Sequence, residues 1–85
     1  MFKVFFKKSA EKELKKLPGV IIRKVYYLVE ALKSNQIISN TKKLTGFKDL
    51  YRTRIGDYRV VYLKDTRIKI VTITKIAHRK DVYKV

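Results

Sequence analysis

The apolar residues of this 85-residue chain change their period near its midpoint, and that change limits the fold more than any other feature. Ile21, Val25, Leu28, Val29 and Leu32 form one stripe at helical spacing. Beyond Gly46 the repeat becomes two: Leu50–Ile55, Tyr58–Leu63 and Ile68–Ile76 are rich in Tyr, Val, Ile and Thr, which suit a pleated sheet. Near the start, Phe2–Phe6 is short, aromatic and partly alternating, which predicts a strand. Ser9 suits a helix N-cap, Glu11 and Glu13 suit the first turns, and Ala10, Leu14 and Leu17 recur at helical spacing. Pro18 ends that helix and is well placed to open the next. Residues 37–46 read as a polar connection. The predicted order is βααβββ, an α+β fold in which a helical hairpin packs on one face of a small, mostly antiparallel twisted sheet. One domain spans residues 1–85, since a chain this short supports a single small core.

Charge then narrows the function. With 22 Lys and Arg against 7 Asp and Glu, the formal net charge is +15, which points to a polyanionic partner. There is no cysteine, so disulfides, thiolate zinc sites and cysteine nucleophiles are excluded. One histidine and scattered aspartates make no metal-ligand set, so neither metal nor cofactor is expected. The longest apolar run is the five residues Val25–Val29, against the roughly 20 that a membrane helix needs, and residues 1–8 lack a signal-peptide core. The expectation is a soluble cytoplasmic protein that does not engage a membrane.

The arginines are unevenly placed. Five of the six, Arg52, Arg54, Arg59, Arg67 and Arg79, lie in the strand-rich half, whereas the helices use mostly lysine. Arginine presents a planar fork matched to phosphate. If Gly56-Asp57 is a two-residue hairpin turn, Ile55 pairs with Tyr58, Arg54 with Arg59, Thr53 with Val60 and Arg52 with Val61. Arg52, Arg54 and Arg59 then share one face, and Tyr51, Thr53, Ile55, Tyr58, Val60 and Tyr62 face the helices. Guanidinium groups could simply splay into solvent from such a face. Against that, Glu11, Glu13 and Glu30 are assigned to helices, Asp49, Asp57 and Asp65 to turns and strand ends, and Asp81 to the tail, so none is expected to neutralise it. Like charges opposite one another oppose folding, and an anionic ligand is the expected compensation. The last strand, antiparallel to the second hairpin strand, returns His78 and the tail toward Arg54 and Arg59. His78 and Tyr83 are the candidate proton carriers there, histidine being the side chain that titrates nearest neutrality.

Three stretches resemble the RelE/ParE superfamily of toxins from bacterial and archaeal toxin–antitoxin pairs. They are Lys43-Leu44-Thr45-Gly46, Leu50 through Tyr62 and His78-Arg79-Lys80-Asp81-Val82-Tyr83. RelE-like members are ribosome-dependent endoribonucleases that cut mRNA in the decoding site; ParE-like members poison DNA gyrase. The resemblance implies phosphate-binding roles for Arg52, Arg54, Arg59 and Arg79, and Tyr83 matches a tyrosine typical of the RNase branch. Some relatives carry lysine at the positions of Arg52 and Arg54. Arginine stays protonated and cannot serve as a general base, which leaves that role to Tyr83 or His78.

The implied reaction is metal-independent attack of a ribose 2′-OH on the adjacent phosphate, leaving a 2′,3′-cyclic phosphate and a 5′-OH. Lys43, Lys48, Lys75 and Lys80 join Arg52, Arg54, Arg59 and Arg79 as candidate RNA contacts. The implied partners are mRNA in the ribosomal A site, ribosomal RNA and a small acidic antitoxin, with the free toxin a monomer. Two other readings stay open: a ParE-like gyrase inhibitor or degenerate toxin that only binds its antitoxin, and a plain RNA-binding protein.

Overall fold

The computed structural model describes residues 1–78 and Lys80. The elements run β1 (Lys3–Phe6), α1 (Lys8–Lys15), α2 (Gly19–Lys33), β2 (Thr41–Lys43), β3 (Leu50–Ile55), β4 (Tyr58–Asp65) and β5 (Ile70–His78). The strands form one sheet in the order β1-β5-β4-β3-β2, antiparallel except for β1 beside β5. This is the expected α+β arrangement with one more strand. β2 falls in the stretch read as a polar connection, because Thr41-Lys42-Lys43 carries no apolar alternation. Backbone bonds from Arg54 N–H to Asn40 O and from Leu44 N–H to Leu50 O, at 3.0 and 2.8 Å, hold it to β3.

Ser9 does not cap α1. Lys7 occupies that position with an extended backbone and no side-chain cap, and Ser9 lies inside the helix. The sheet sets this start: Lys7 N–H completes the β1 ladder on Ile73 O at 2.9 Å, and the helix begins at the next residue. Pro18 stands at the N-cap of α2, where its carbonyl accepts from Ile21 and Ile22 at 2.9 and 3.0 Å. A proline cannot continue α1, yet its fixed φ suits the start of a helix.

Both helices cover the same side of the sheet. Ala10 and Leu14 of α1, with Ile21, Val25, Leu28, Val29 and Leu32 of α2, meet Ile55, Val60, Tyr62, Val71, Ile73 and Ile76 in one buried cluster. Val25, Val60, Val71 and Ile73 are fully buried. Thr53 is the one buried polar side chain among the described residues. Its hydroxyl lies 2.8 Å from that of Thr41 and donates to Tyr62 Oη at 3.4 Å, which ties β2 to the core.

The β5 strand contains a bulge that decides which way its last residues face. Val61 pairs with Lys75 and Tyr62 with Ile73, leaving Thr74 as the extra residue. Strict alternation from Val71 and Ile73 would send Ile76 and His78 to the outer face. The extra residue reverses the parity, so Ile76 enters the core and His78 pairs with Tyr58.

Candidate nucleic-acid interface

The β3–β4 hairpin has the register read from the sequence: Arg52 opposite Val61, Thr53 opposite Val60, Arg54 opposite Arg59 and Ile55 opposite Tyr58. Its turn explains why. Gly56 has φ +57° and Asp57 is not in the left-handed region, the combination a type II′ turn requires. A two-residue turn fixes the pairing along the hairpin, so Arg52, Arg54 and Arg59 emerge on the side away from the helices.

Arg54 is exposed, whereas Arg52 and Arg59 are half-buried and the Nε of Arg59 is buried. Arg54 Nε donates to Gly56 O at 3.3 Å, which leans its guanidinium toward the turn. Val61, on the same face between Arg52 and Lys75 in the ladder, is only 8% exposed. Long basic side chains cover apolar neighbours with their stems while the charged ends stay wet.

The strand missed in the sequence completes the site. β2 sets Lys42 directly opposite Arg52. A cleft of about 420 Å³ is lined by Asn40, Thr41, Lys42, Arg52, Arg54 and Arg59, three guanidinium groups and one ammonium. Its chemistry suits a phosphate: forks for the oxygens, and an amide at the rim. Asn40 and Lys42 escaped sequence reasoning because their facing depends on a strand of three residues. Among the described residues no three acidic or histidine side chains cluster as a metal site would require.

The other candidates divide. Lys43 pairs with Tyr51 and so lies on the opposite face of the edge strand from Lys42. Lys48 sits in the turn before β3, at the end of the hairpin away from Gly56, beside a separate cleft shared with Asp49, Asp65 and Arg67. Lys75 is on the arginine face by register, but its Nζ lies 3.6 Å from Glu13 Oε2. The helical Glu13 therefore does reach one cation of this face, contrary to the sequence reading, because α1 packs along β5. Lys80 is exposed just beyond β5, and its N–H donates to His78 Nδ1 at 3.4 Å.

His78 reaches the expected end of the sheet on the unexpected side. It is paired with Tyr58, with the two rings edge-on and 5.5 Å between centroids. Tyr58 packs against the core, so His78 shares the helix-side face and is separated by the sheet from Arg54 and Arg59. The Thr74 bulge is the cause. Arg79 and Tyr83 lie outside the described residues.

No helix among the described residues is long and apolar enough to cross a membrane. Residues 4–83 match the family described as the ParE toxin of the type II toxin–antitoxin system parDE. The RelE1 chain of Methanocaldococcus jannaschii is 38% identical over 86 residues, covering 98% of this chain and 96% of its own. The crystal structure of the archaeal RelE–RelB complex from Pyrococcus horikoshii superposes with a TM-score of 0.83 at 30% identity, over 94% of this chain and 97% of that one. The isolated E. coli RelE toxin gives a TM-score of 0.76 at 29% identity, over 99% and 93% of the two chains.

Proposed function

Since this chain belongs to the RelE/ParE toxin family of type II toxin–antitoxin systems, we propose that it is a RelE-like mRNA interferase, cutting mRNA in the ribosomal A site in the cytoplasm. The observation that carries this reading is the register-locked gathering of Arg52, Arg54, Arg59 and Lys42 around one cleft. Four fixed cations at one phosphodiester would stabilise the negative charge that grows on the phosphoryl oxygens as a fifth oxygen approaches.

In this mechanism the 2′-OH attacks the adjacent phosphorus in line, and the P–O5′ bond breaks. Arg52, Arg54 and Arg59 hold the non-bridging oxygens, and Lys42 neutralises the flanking backbone. The 2′-OH proton goes to Tyr83, the role the family resemblance implies, and Arg79 adds a guanidinium from the same tail. His78 has no part in this scheme, being on the far face of the sheet. The leaving O5′ takes its proton from solvent while a guanidinium screens its charge, giving a 2′,3′-cyclic phosphate and a 5′-OH.

The test is cleavage of a defined message on programmed ribosomes, with the product ends identified. A single 2′-deoxy nucleotide at the scissile position should abolish the cut there. Cleavage of the deoxy substrate at the rate of the ribose substrate would exclude this chemistry. The family description itself favours a second reading, a ParE-like gyrase inhibitor. It predicts gyrase-dependent DNA breaks and intact mRNA in parallel reactions.

An antitoxin partner follows on either reading. The P. horikoshii relative was crystallised with RelB, and a chain of formal charge +15 suits a partner whose docking segment is acidic. The same charge would steer the free toxin, as a monomer, to ribosomal RNA.

A further inference from the structure

The last strand is longer than the neighbour that covers its flank. β1 pairs with β5 only from Ile70 to Ile73, and the Lys7 N–H bond to Ile73 O closes that ladder. From Thr74 to His78 the same flank of β5 has no strand beside it among the described residues. Open sheet edges leave backbone donors to be satisfied by something else.

Glu13 of α1 supplies it. Its Oε1 accepts the Ile76 N–H at 2.9 Å in a part-buried setting, across 63 positions of sequence, and its Oε2 lies 3.6 Å from Lys75 Nζ. Ala10 and Leu14 are buried in the core on either side of it in the helix, so the carboxylate is delivered by a rigid, packed element. A carboxylate accepting a backbone N–H makes a stronger bond than a neutral acceptor, and partial burial protects it from salt.

We propose that Glu13 is a positioning residue that stands in for the missing strand and fixes the end of β5. That end matters to the arginine face, because Ala77 is the cross-strand neighbour of Arg59 and the chain continues from His78 into the segment bearing Arg79 and Tyr83. The catalytic consequence rests on the nuclease reading; the clamp itself does not. Lys75 serves as the counter-ion of Glu13, which draws its ammonium toward α1.

The test pairs amide hydrogen exchange with single-turnover cleavage in Glu13→Ala and Glu13→Gln. Glu13→Ala removes the acceptor, so Ile76 should exchange at least about tenfold faster, with Val25 and Val60 amides unchanged as a check on the core. Glu13→Gln keeps an oxygen in place while discarding the charge, so it should hold Ile76 within about threefold of wild type. Cleavage at saturating ribosome should drop several-fold in Glu13→Ala and recover in Glu13→Gln, a rescue that general loss of stability would not give. Wild-type exchange at Ile76 in Glu13→Ala would overturn the proposal, as would equal acceleration in both variants. If Glu13→Ala does not fold, Glu13→Asp, shorter by one methylene, should give intermediate exchange, and wild-type exchange there would equally overturn it. Faster exchange with glutamine rescue in a protein that cuts no RNA would uphold the clamp and remove the nuclease reading alone.

Discussion

Arg54→Gln should make the protein more stable and its RNA binding weaker, and the size of the first effect can be worked from the sheet. Arg54 and Arg59 are direct cross-strand partners on the face away from the helices. Their Cβ atoms are roughly 5 Å apart and the guanidinium groups, splayed, roughly 7 Å. Two unit charges at about 7 Å in water repel by about 0.6 kcal/mol. With a Debye length of about 30 Å at 0.01 M salt that becomes roughly 0.5 kcal/mol, and with about 8 Å at 0.15 M roughly half as much. Glutamine keeps most of the stem and removes the charge; the Arg54 Nε bond to Gly56 O, at 3.3 Å and exposed, is a minor loss. Urea unfolding, with a slope of about 1 kcal/mol/M for a chain of this size, should therefore show a midpoint about 0.5 M higher at 0.01 M salt. The gain should shrink to about 0.25 M at 0.15 M salt. In the same variant the log–log salt slope of single-stranded RNA binding should fall by about 0.7, one phosphate contact. A lower midpoint at both salt concentrations, or an unchanged salt slope, would refute the argument that this face is assembled for an anion against its own repulsion.

Ile73→Ala empties a fully buried core position between β1 and β4 and should cost about 2–5 kcal/mol by urea unfolding. Gly56→Ala meets no steric block, its Cβ lying 3.7 Å from Ile21 Cδ1, but φ +57° is unfavourable for alanine. A stability loss of about 1–2 kcal/mol is expected, with Gly56→Asn losing less. Thr53→Val removes the 2.8 Å bond to Thr41 that ties β2 to the core. It should cost about 1 kcal/mol, speed amide exchange in β2, and weaken RNA binding through Lys42, which β2 carries.

The hairpin was legible because Gly56-Asp57 sits between two alternating runs, and a two-residue turn leaves no freedom of register. With the register came the common face of Arg52, Arg54 and Arg59. The helix stripes were equally plain: every α2 residue of the apolar repeat, from Ile21 to Leu32, is in the core. What escaped depends on contacts distant in sequence. Lys7 rather than Ser9 starts α1 because Ile73, far along the chain, pins Lys7. β2 exists because Thr41 meets Thr53 and β3 offers an open edge, which the Thr-Lys-Lys composition does not announce. The facing of His78 turns on one extra residue, Thr74, whose hydroxyl donates to Val61 O at 3.2 Å at the bulge. A period-two reading has no means of seeing such an insertion, and it inverts every side chain beyond it.

Single-turnover cleavage by Arg59→Ala on programmed ribosomes bears most directly on the central claim, that guanidinium groups on one sheet face hold a scissile RNA phosphodiester. Loss of one donor to the developing oxyanion should lower the rate by about 10²-fold or more, while the variant remains folded and ribosome-bound. A folded, ribosome-bound Arg59→Ala protein that cuts mRNA as fast as the parent would contradict the account.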